Sequence, residues 1–438
     1  MNKVDVAGLK IDNISKTELL DQISARLNLK SGEKIFVTTP YSEFLYRSLR
    51  DPKLLEILNQ ADFAVPDGIG IFWAAKFLSI PLTVKSYYGK ILQAWWQAKY
   101  SLWAILFYPK FIRSAFKEKI SGSDLIWDLT KLAVRENKKI FLLGGFGDTP
   151  KIAAERLKSL GAQVEWSNKN PDDLSVLDDI NRDSPHFLFV AFGPIRQEQW
   201  IVQNMAKLPC KLYIGLGGTF DYIAQKRLNP PRFMRFIGLE WLFRLVTQPK
   251  RVKRIWQATF GLILSLIRYK VFTSMPYRKN VVSIVLNNKN QILIGKRNPQ
   301  DLSLRVIGDV DAVNMKDYWQ FSQGGVDGAE NLKMAARREI KEELNITSLE
   351  YIKTSPKIRN YDWHNAVRPL LGNYYKFRGQ TQNLIYFKFT GQEGEIKPDY
   401  EEFIEYKWVS LGDLTNSVHE QRKELAEIVV GDLKDLVN

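Results

Sequence analysis

Three glutamates, Glu339, Glu342 and Glu343, constrain this chain more than any other feature. They close a run that begins at Trp319-Gln320-Phe321-Ser322-Gln323-Gly324-Gly325 and reads Gly-x5-Glu-x7-Arg-Glu-Ile-x-Glu-Glu through Gly324, Glu330 and Arg338. Taken as a loop feeding a helix from 331 to 344, the i, i+3, i+4 spacing puts three carboxylates on one helical face. Like charges crowded there demand a cation. Hard carboxylate oxygens suit Mg²⁺, which keeps several waters and bridges phosphate oxygens. A solvated acidic helix would explain the glutamates, but not the glycine pair, the arginine and the spacing together.

This pattern resembles the Nudix box. It departs at Asn345, where the family usually has Gly; Asn is the usual substitute in the left-handed conformation that ends a helix, so the turn is expected to survive. Residues 277–281, the run from Trp319 to Gly325, residues 379–382, and Glu402-Phe403 with Trp408-Val409 look like the RNA pyrophosphohydrolase and dinucleoside polyphosphate hydrolase branch. The resemblance spans about residues 277–438 and implies an α/β/α sandwich. It also implies Mg²⁺ or Mn²⁺ on Glu339, Glu342 and Glu343, with Glu402 as a distal ligand. Arg278 and Lys296 or Arg297 would meet substrate phosphates. The implied substrate is a nucleoside diphosphate derivative or an RNA 5′ end. The base that polarises water is Glu343, Glu339 or Glu402, with Glu343 named first.

A length of 438 residues with 45% hydrophobic content allows two or three domains with real cores. A single cysteine, Cys210, and three histidines argue against zinc and against an internal disulfide, and Cys210 reads as core. The N-terminus starts a strand-like alternation, not a basic-then-apolar leader, so no export is expected. Charge is unequally divided. Residues 277–438 carry 23 bases and 23 acids, so the entire +15 belongs to the first 276 residues. No acid occurs between Asp67 and Glu118 or between Glu240 and Asp301.

Both acid-free stretches interleave aromatics with bases. The first holds Tyr87-Tyr88, Trp95-Trp96, Trp103 and Phe107-Tyr108 among Lys85, Lys90, Lys99, Lys110 and Arg113; the second holds Trp241, Phe243, Trp256 and Phe260 among Arg244, Lys250, Arg251, Lys253 and Arg254. Rings with polar edges and snorkelling bases favour an anionic headgroup layer, which predicts a monotopic contact with a membrane surface. The longest charge-free apolar run, residues 255–267, is shorter than the roughly 20 residues of a spanning helix. The same composition would also serve RNA.

Upstream, largely apolar segments at 34–38, 63–66, 139–143, 187–192 and 212–214 alternate with helical ones, as buried parallel strands do. The fold class is α/β. Ligands of such sheets bind at the carboxyl ends of the strands. Those ends here read Thr39-Pro40, Asp67-Gly68-Ile69-Gly70, Gly144-Gly145-Phe146-Gly147, Gly193-Pro194-Ile195-Arg196-Gln197-Glu198 and Gly215 to Asp221. Thr149-Pro150 reads as the cap and first turn of a helix whose free N–H groups suit a diphosphate.

These ends, with Gly122-Ser123-Asp124-Leu125 and Glu240-Trp241-Leu242-Phe243-Arg244-Leu245, look like the WecG/TagA/CpsF glycosyltransferase family over roughly residues 3–256. The resemblance implies a Rossmann-like sheet with helices on both faces. It implies inverting transfer of an N-acetylmannosamine-type sugar from a UDP-sugar donor to a polyprenyl-diphosphate-linked acceptor, with no required metal. The work would take place at the inner face of the cytoplasmic membrane, and self-association is expected. Asp67 is the candidate base, with helix capping as its alternative role. Thr39 and Gln197 would position sugar or acceptor, while Lys119, Arg196 or the Gly144 and Gly145 amides would face the leaving UDP. Tyr41 replaces the family's usual Asn, Lys119 replaces an Arg, and the aromatic stretch from 82 to 116 is an insertion. The predicted organisation is a transferase at 1–256, a junction at 257–276 and a Nudix hydrolase at 277–438. The alternative is an RNA or dinucleotide pyrophosphohydrolase with a non-catalytic basic N-terminal module.

Overall fold

The computed structural model describes residues 2–29, 33–173, 175–225, 234, 240–247, 252–299, 317–363 and 376–437. They fall into two compact units, Met1–Val271 and Phe272–Asn438.

The first unit opens with a hairpin, β1 (Lys3–Val6) and β2 (Leu9–Asp12), turned through Ala7 and Gly8 at positive φ. Its centre is a six-stranded parallel sheet built from β3 (Ile35–Thr38), β4 (Phe63–Ala64), β5 (Ile140–Gly144), β6 (Val164–Ser167), β7 (Phe187–Ala191) and β8 (Leu212–Gly215). The order is β4-β3-β8-β7-β5-β6. Alternate residues feed two cores. Ile35, Val37, Phe187, Phe189, Leu212 and Ile214 pack with the helices Lys16–Leu27, Gly122–Arg135 and Thr149–Lys158. Phe36, Phe141, Leu143, Leu188, Val190 and Tyr213 pack with Ser175–Asp183 and Arg196–Asn204 on the other face. This is the doubly covered sheet expected from the sequence. The chain winds outward to β4, restarts at β5 and β6, then fills inward with β7 and β8, leaving a crevice at the strand ends.

Two sequence readings need correction. β6 was not anticipated, because an edge strand of sequence VEWS, its two central residues exposed, lacks the apolar run used to find the others. The cap position of the helix after β5 falls at Asp148, and Thr149 and Pro150 lie inside its first turn.

Most of the aromatic stretch from 82 to 116 folds as a 21-residue helix, Tyr87–Phe107, about 30 Å long, followed by a short helix at Pro109–Arg113. The inward face of the longer helix is small: Ala94, Ala98, Ser101 and Ala104 are buried, and Ser101 Oγ accepts a hydrogen bond from Trp73 Nε1 at 2.9 Å. Its large rings face out, with Tyr88, Trp96, Trp103 and Phe107 each more than 60% exposed. Among the described residues, no helix is long and apolar enough to cross a membrane. In the second acid-free stretch, Pro249, Lys250, Arg251 and the side chains of Glu240, Trp241 and Arg244 lie outside the described residues.

The second unit is a mixed sheet of β9 (Arg278–Leu286), β10 (Ile292–Arg297), β11 (Trp319–Gln320), β12 (Ser322–Gly325), β13 (Leu349–Asp362), β14 (Gly379–Phe389) and β15 (Phe403–Val409). β9 and β14 pair in parallel at its centre. Helix Leu332–Leu344 covers one face through Ala335, Ala336, Ile340 and Leu344, and helix Lys423–Val437 covers the other through Leu425, Ala426, Val429 and Leu433. The α/β/α sandwich is as predicted. Asn345 ends the first of these helices at φ 58°, the left-handed turn expected of it.

Candidate active sites

In the first unit the crevice is a cavity of about 920 Å³ that takes lining from the ends of β3, β4, β5, β7 and β8. Asp67, which follows β4, is half-buried in its wall, and its Oδ2 accepts from the Gly122 N–H at 3.4 Å, at the start of helix Gly122–Arg135. The cap position of the Ile69–Ser79 helix is held by Gly68, the residue after Asp67. Thr39 is 8% exposed, and a Cβ on Gly122 would lie 3.2 Å from its Oγ1. The fold therefore brings Asp67, Thr39 and a helix N-terminus together. The positive end of that helix favours a carboxylate or phosphate beside it.

On the opposite wall, Gly144, Gly145, Arg196 and Gln197 line the same cavity. The Gly145 N–H donates to the Ala191 carbonyl at 3.2 Å, so this amide braces β5 against β7 and does not face a diphosphate. Gln197 is 3% exposed and committed at both ends: its Oε1 accepts from the Gly217 N–H at 2.9 Å, and its Nε2 donates to Glu198 Oε1 at 2.8 Å. It shapes the turn after β8. Arg196 is about half exposed and pairs with Asp172 at 2.6 Å, while Lys119 is exposed at the rim.

Three features in or behind the wall of this cavity were not found from the sequence. Glu198 is fully buried, and desolvation pushes its carboxyl up to about 7 against the hydrogen bonds it accepts from Gln197 and the Ile195 N–H. Ile195 sits at φ 77°, ψ −53°, a region costly for a β-branched residue, and the Ile195–Glu198 bond at 2.7 Å helps hold it there. Finally, Glu43 is 3% exposed and receives Arg254 through Nε and Nη2, at 3.2 and 2.7 Å, so a residue 211 positions away closes the cavity wall.

In the second unit the Gly324-Gly325 strand runs against the acidic helix. A Cβ on Gly324 would lie 1.8 Å from the Glu339 carboxyl carbon, and one on Gly325 would lie 1.9 Å from Arg278 Nη2. Arg338 ties the loop down, donating to Glu330 Oε1 and to the Gly325 carbonyl, both at 2.8 Å, and pairing with Glu339 and Glu342. Glu342 faces outward, 58% exposed, whereas Glu339 and Glu343 point in. Burial, then the nearby Glu402 and Glu339, raise the Glu343 carboxyl well above the usual carboxylate range; burial also raises Glu339.

Both Glu343 oxygens are buried without a hydrogen-bond partner. Among the described residues no three ligating side chains already form a metal-holding group, since Glu402 is turned to Arg297 at 2.8 Å and Glu339 to Arg338. Orphaned carboxylate oxygens facing further carboxylates are nevertheless what a hard divalent cation satisfies, so the residues fit one. Arg297 is drawn into this cluster, and Arg278 lies over the glycine strand beside Asp327 at 3.3 Å. Lys296 is instead paired with Asp317 at 3.2 Å.

A family model described as the glycosyl transferase WecG/TagA/CpsF family matches residues 4–108 and 103–275. The chain belongs to that family. A NUDIX domain model matches residues 276–429, so the transferase is joined to a Nudix hydrolase in one polypeptide. Among curated relatives, the N-acetylglucosaminyldiphosphoundecaprenol N-acetyl-beta-D-mannosaminyltransferases of Staphylococcus aureus strains MRSA252 and NCTC 8325 are each 23% identical over 257 residues, covering 58% of this chain and 88% of theirs. The MutT protein of Methanosarcina mazei Go1, a solved structure, is 21% identical and covers 36% of this chain and 97% of its own, with a TM-score of 0.27. That score adds no weight to the fold seen directly.

Proposed function

We propose that the transferase unit moves an N-acetylmannosamine-type sugar from UDP to a polyprenyl-diphosphate-linked acceptor, with Asp67 as base. The observation carrying this reading is the placement of Asp67, Thr39 and the Gly122 helix start on one side of a strand-end cavity of about 920 Å³. The acceptor hydroxyl attacks the anomeric carbon from the face opposite UDP. Its proton passes to the Asp67 carboxylate as the bond from sugar to UDP breaks, inverting the centre. Arg196 and Lys119, at the rim, offset charge on the departing diphosphate. Gln197 and Glu198 keep the Gly217 turn open for the substrates. The exposed rings of Tyr87–Phe107, in a stretch without acids, would rest on an anionic membrane surface, consistent with work at its inner face.

The hydrolase unit would cleave a nucleoside-diphosphate-linked substrate or an RNA 5′ end. Glu339, Glu343 and Glu402 would hold Mg²⁺ or Mn²⁺, which neutralises phosphate charge and acidifies water when bound. Arg278 and Arg297 border that cluster and suit substrate phosphates. Release of UDP from UDP-N-acetylmannosamine, with and without a farnesyl-diphosphate-linked GlcNAc acceptor, tests the first reading. Acceptor-dependent release with an inverted product is expected; its absence across a panel of UDP-sugars would overturn it. Offering UDP-sugars, dinucleoside polyphosphates and 5′-triphosphate RNA tests the second, and cleavage of none with Mg²⁺ or Mn²⁺ present would sink it.

A further inference from the structure

The acidic and glycine-rich cavity is not the only concavity in the transferase unit. A second one, of about 490 Å³, runs along the aromatic helix and is bordered by Leu92, Trp95, Trp96, Leu102 and Ile263, with Lys99 the one charged side chain in its lining among the described residues. Leu102 and Ile263 also line the main cavity, so the two spaces share a wall. The helix is built to leave this trough. It packs on its neighbour through Ala94, Ala98, Ser101 and Ala104, and small residues there let the backbone approach closely while the large rings remain free. Leu92 and Trp96 are each over 60% exposed, which is costly in water unless something apolar covers them.

We infer that this trough holds the proximal isoprenoid chain of the lipid-linked acceptor, guiding it from the sugar-transfer cavity toward the bilayer. The inference rests on the transferase reading above. Three observations single out this occupant. The trough borders the cavity where the acceptor's sugar and diphosphate must sit, and a chain leaving that diphosphate across their shared wall meets Leu102 and Ile263 first. Its lining is nearly all apolar, which suits an unsubstituted hydrocarbon and no polar ligand. Its one cation among the described residues, Lys99, lies near the Trp96 ring at 5.0 Å in a stretch lacking acids, as suits the anionic headgroup layer that such a chain crosses on its way into the bilayer. The trough thus selects for the first isoprene units, while the outer rings at Tyr88, Trp103 and Phe107 contact the membrane itself.

The test uses the full chain in solution without vesicles, comparing a GlcNAc-diphosphate acceptor bearing a farnesyl chain with one bearing a methyl group. The farnesyl acceptor is expected to show a KM lower by about tenfold or more. Leu92→Glu and Trp96→Glu, both at exposed positions, should erase that preference and leave donor KM and turnover of the methyl acceptor unchanged. Trp103→Glu, outside the trough on the same helix, should keep the preference. Equal KM values for the two acceptors in the wild type, or loss of preference in all three variants alike, would overturn the trough and leave the transferase reading intact. Should no acceptor be turned over, energy transfer from tryptophan to a dansyl-labelled farnesyl diphosphate decides the matter alone. Saturable binding weakened about tenfold by Trp96→Glu but not by Trp103→Glu sustains the trough, and no saturable binding removes it.

Discussion

At the scale of single residues, the hydrolase site depends on one position without a side chain and on one buried carboxylate. Gly324 gives the Glu339 carboxylate its place against the strand, and a Cβ there would collide with it at 1.8 Å. The obstructed atoms are the mobile end of a side chain, so Gly324→Ala should fold with an unchanged circular dichroism spectrum and lose at least about tenfold in Mg²⁺-dependent hydrolysis. Glu343 carries the second dependence. Its buried, unpartnered oxygens make cation binding a source of stability in the native state. Saturating Mg²⁺ is expected to raise the hydrolase unit's Tm by a few degrees in the wild type and not in Glu343→Gln, as followed by calorimetry. Equal shifts in both proteins would remove Glu343 from the ligand set. The spacing of the glutamates made the site legible in sequence. It did not separate Glu342, which turns out to solvent, from its neighbours, because a helical face spans enough angle to contain an inward and an outward carboxylate.

At the scale of elements, the loop joining β7 to the Arg196–Asn204 helix stores both strain and a titrating group. Glu198 has a native pKa of about 7 against an ordinary 4.5, raised by burial. The native state therefore binds this proton more tightly than the unfolded chain. Its contribution is fully present below pH 4.5 and is lost as pH rises through about 7, a change on the order of 3 kcal/mol before relaxation. Thermal melts between pH 4.5 and 7.5 should show the transferase unit losing stability with rising pH, with a shallower slope in Glu198→Gln; identical slopes would contradict the assignment. The parallel strands were legible because burial on both faces leaves continuous apolar runs, as in Phe187–Ala191. β6 was hidden by its exposed edge, and the Glu43–Arg254 pair by a separation that no local pattern records. The aromatic helix was legible as a basic, ring-rich stretch, while the direction its rings face followed only from the small residues that it buries.

At the scale of the whole molecule, two units of different chemistry carry different charge: all of the net +15 lies in the first 276 residues, and residues 277–438 are balanced. Liposome flotation should therefore depend on the transferase unit. Binding to vesicles rich in anionic lipid should exceed that to neutral ones and fall with added salt, and Trp103→Glu should weaken it. Binding indifferent to lipid charge would contradict the membrane reading. The residues assigned to each reaction fall within one unit. The most direct test of the account measures acceptor-dependent UDP release and Mg²⁺-dependent hydrolysis side by side in the intact chain and in Asp67→Asn. The account expects UDP release to fall by about 10²-fold or more with hydrolysis unchanged. Undiminished UDP release in Asp67→Asn would contradict it.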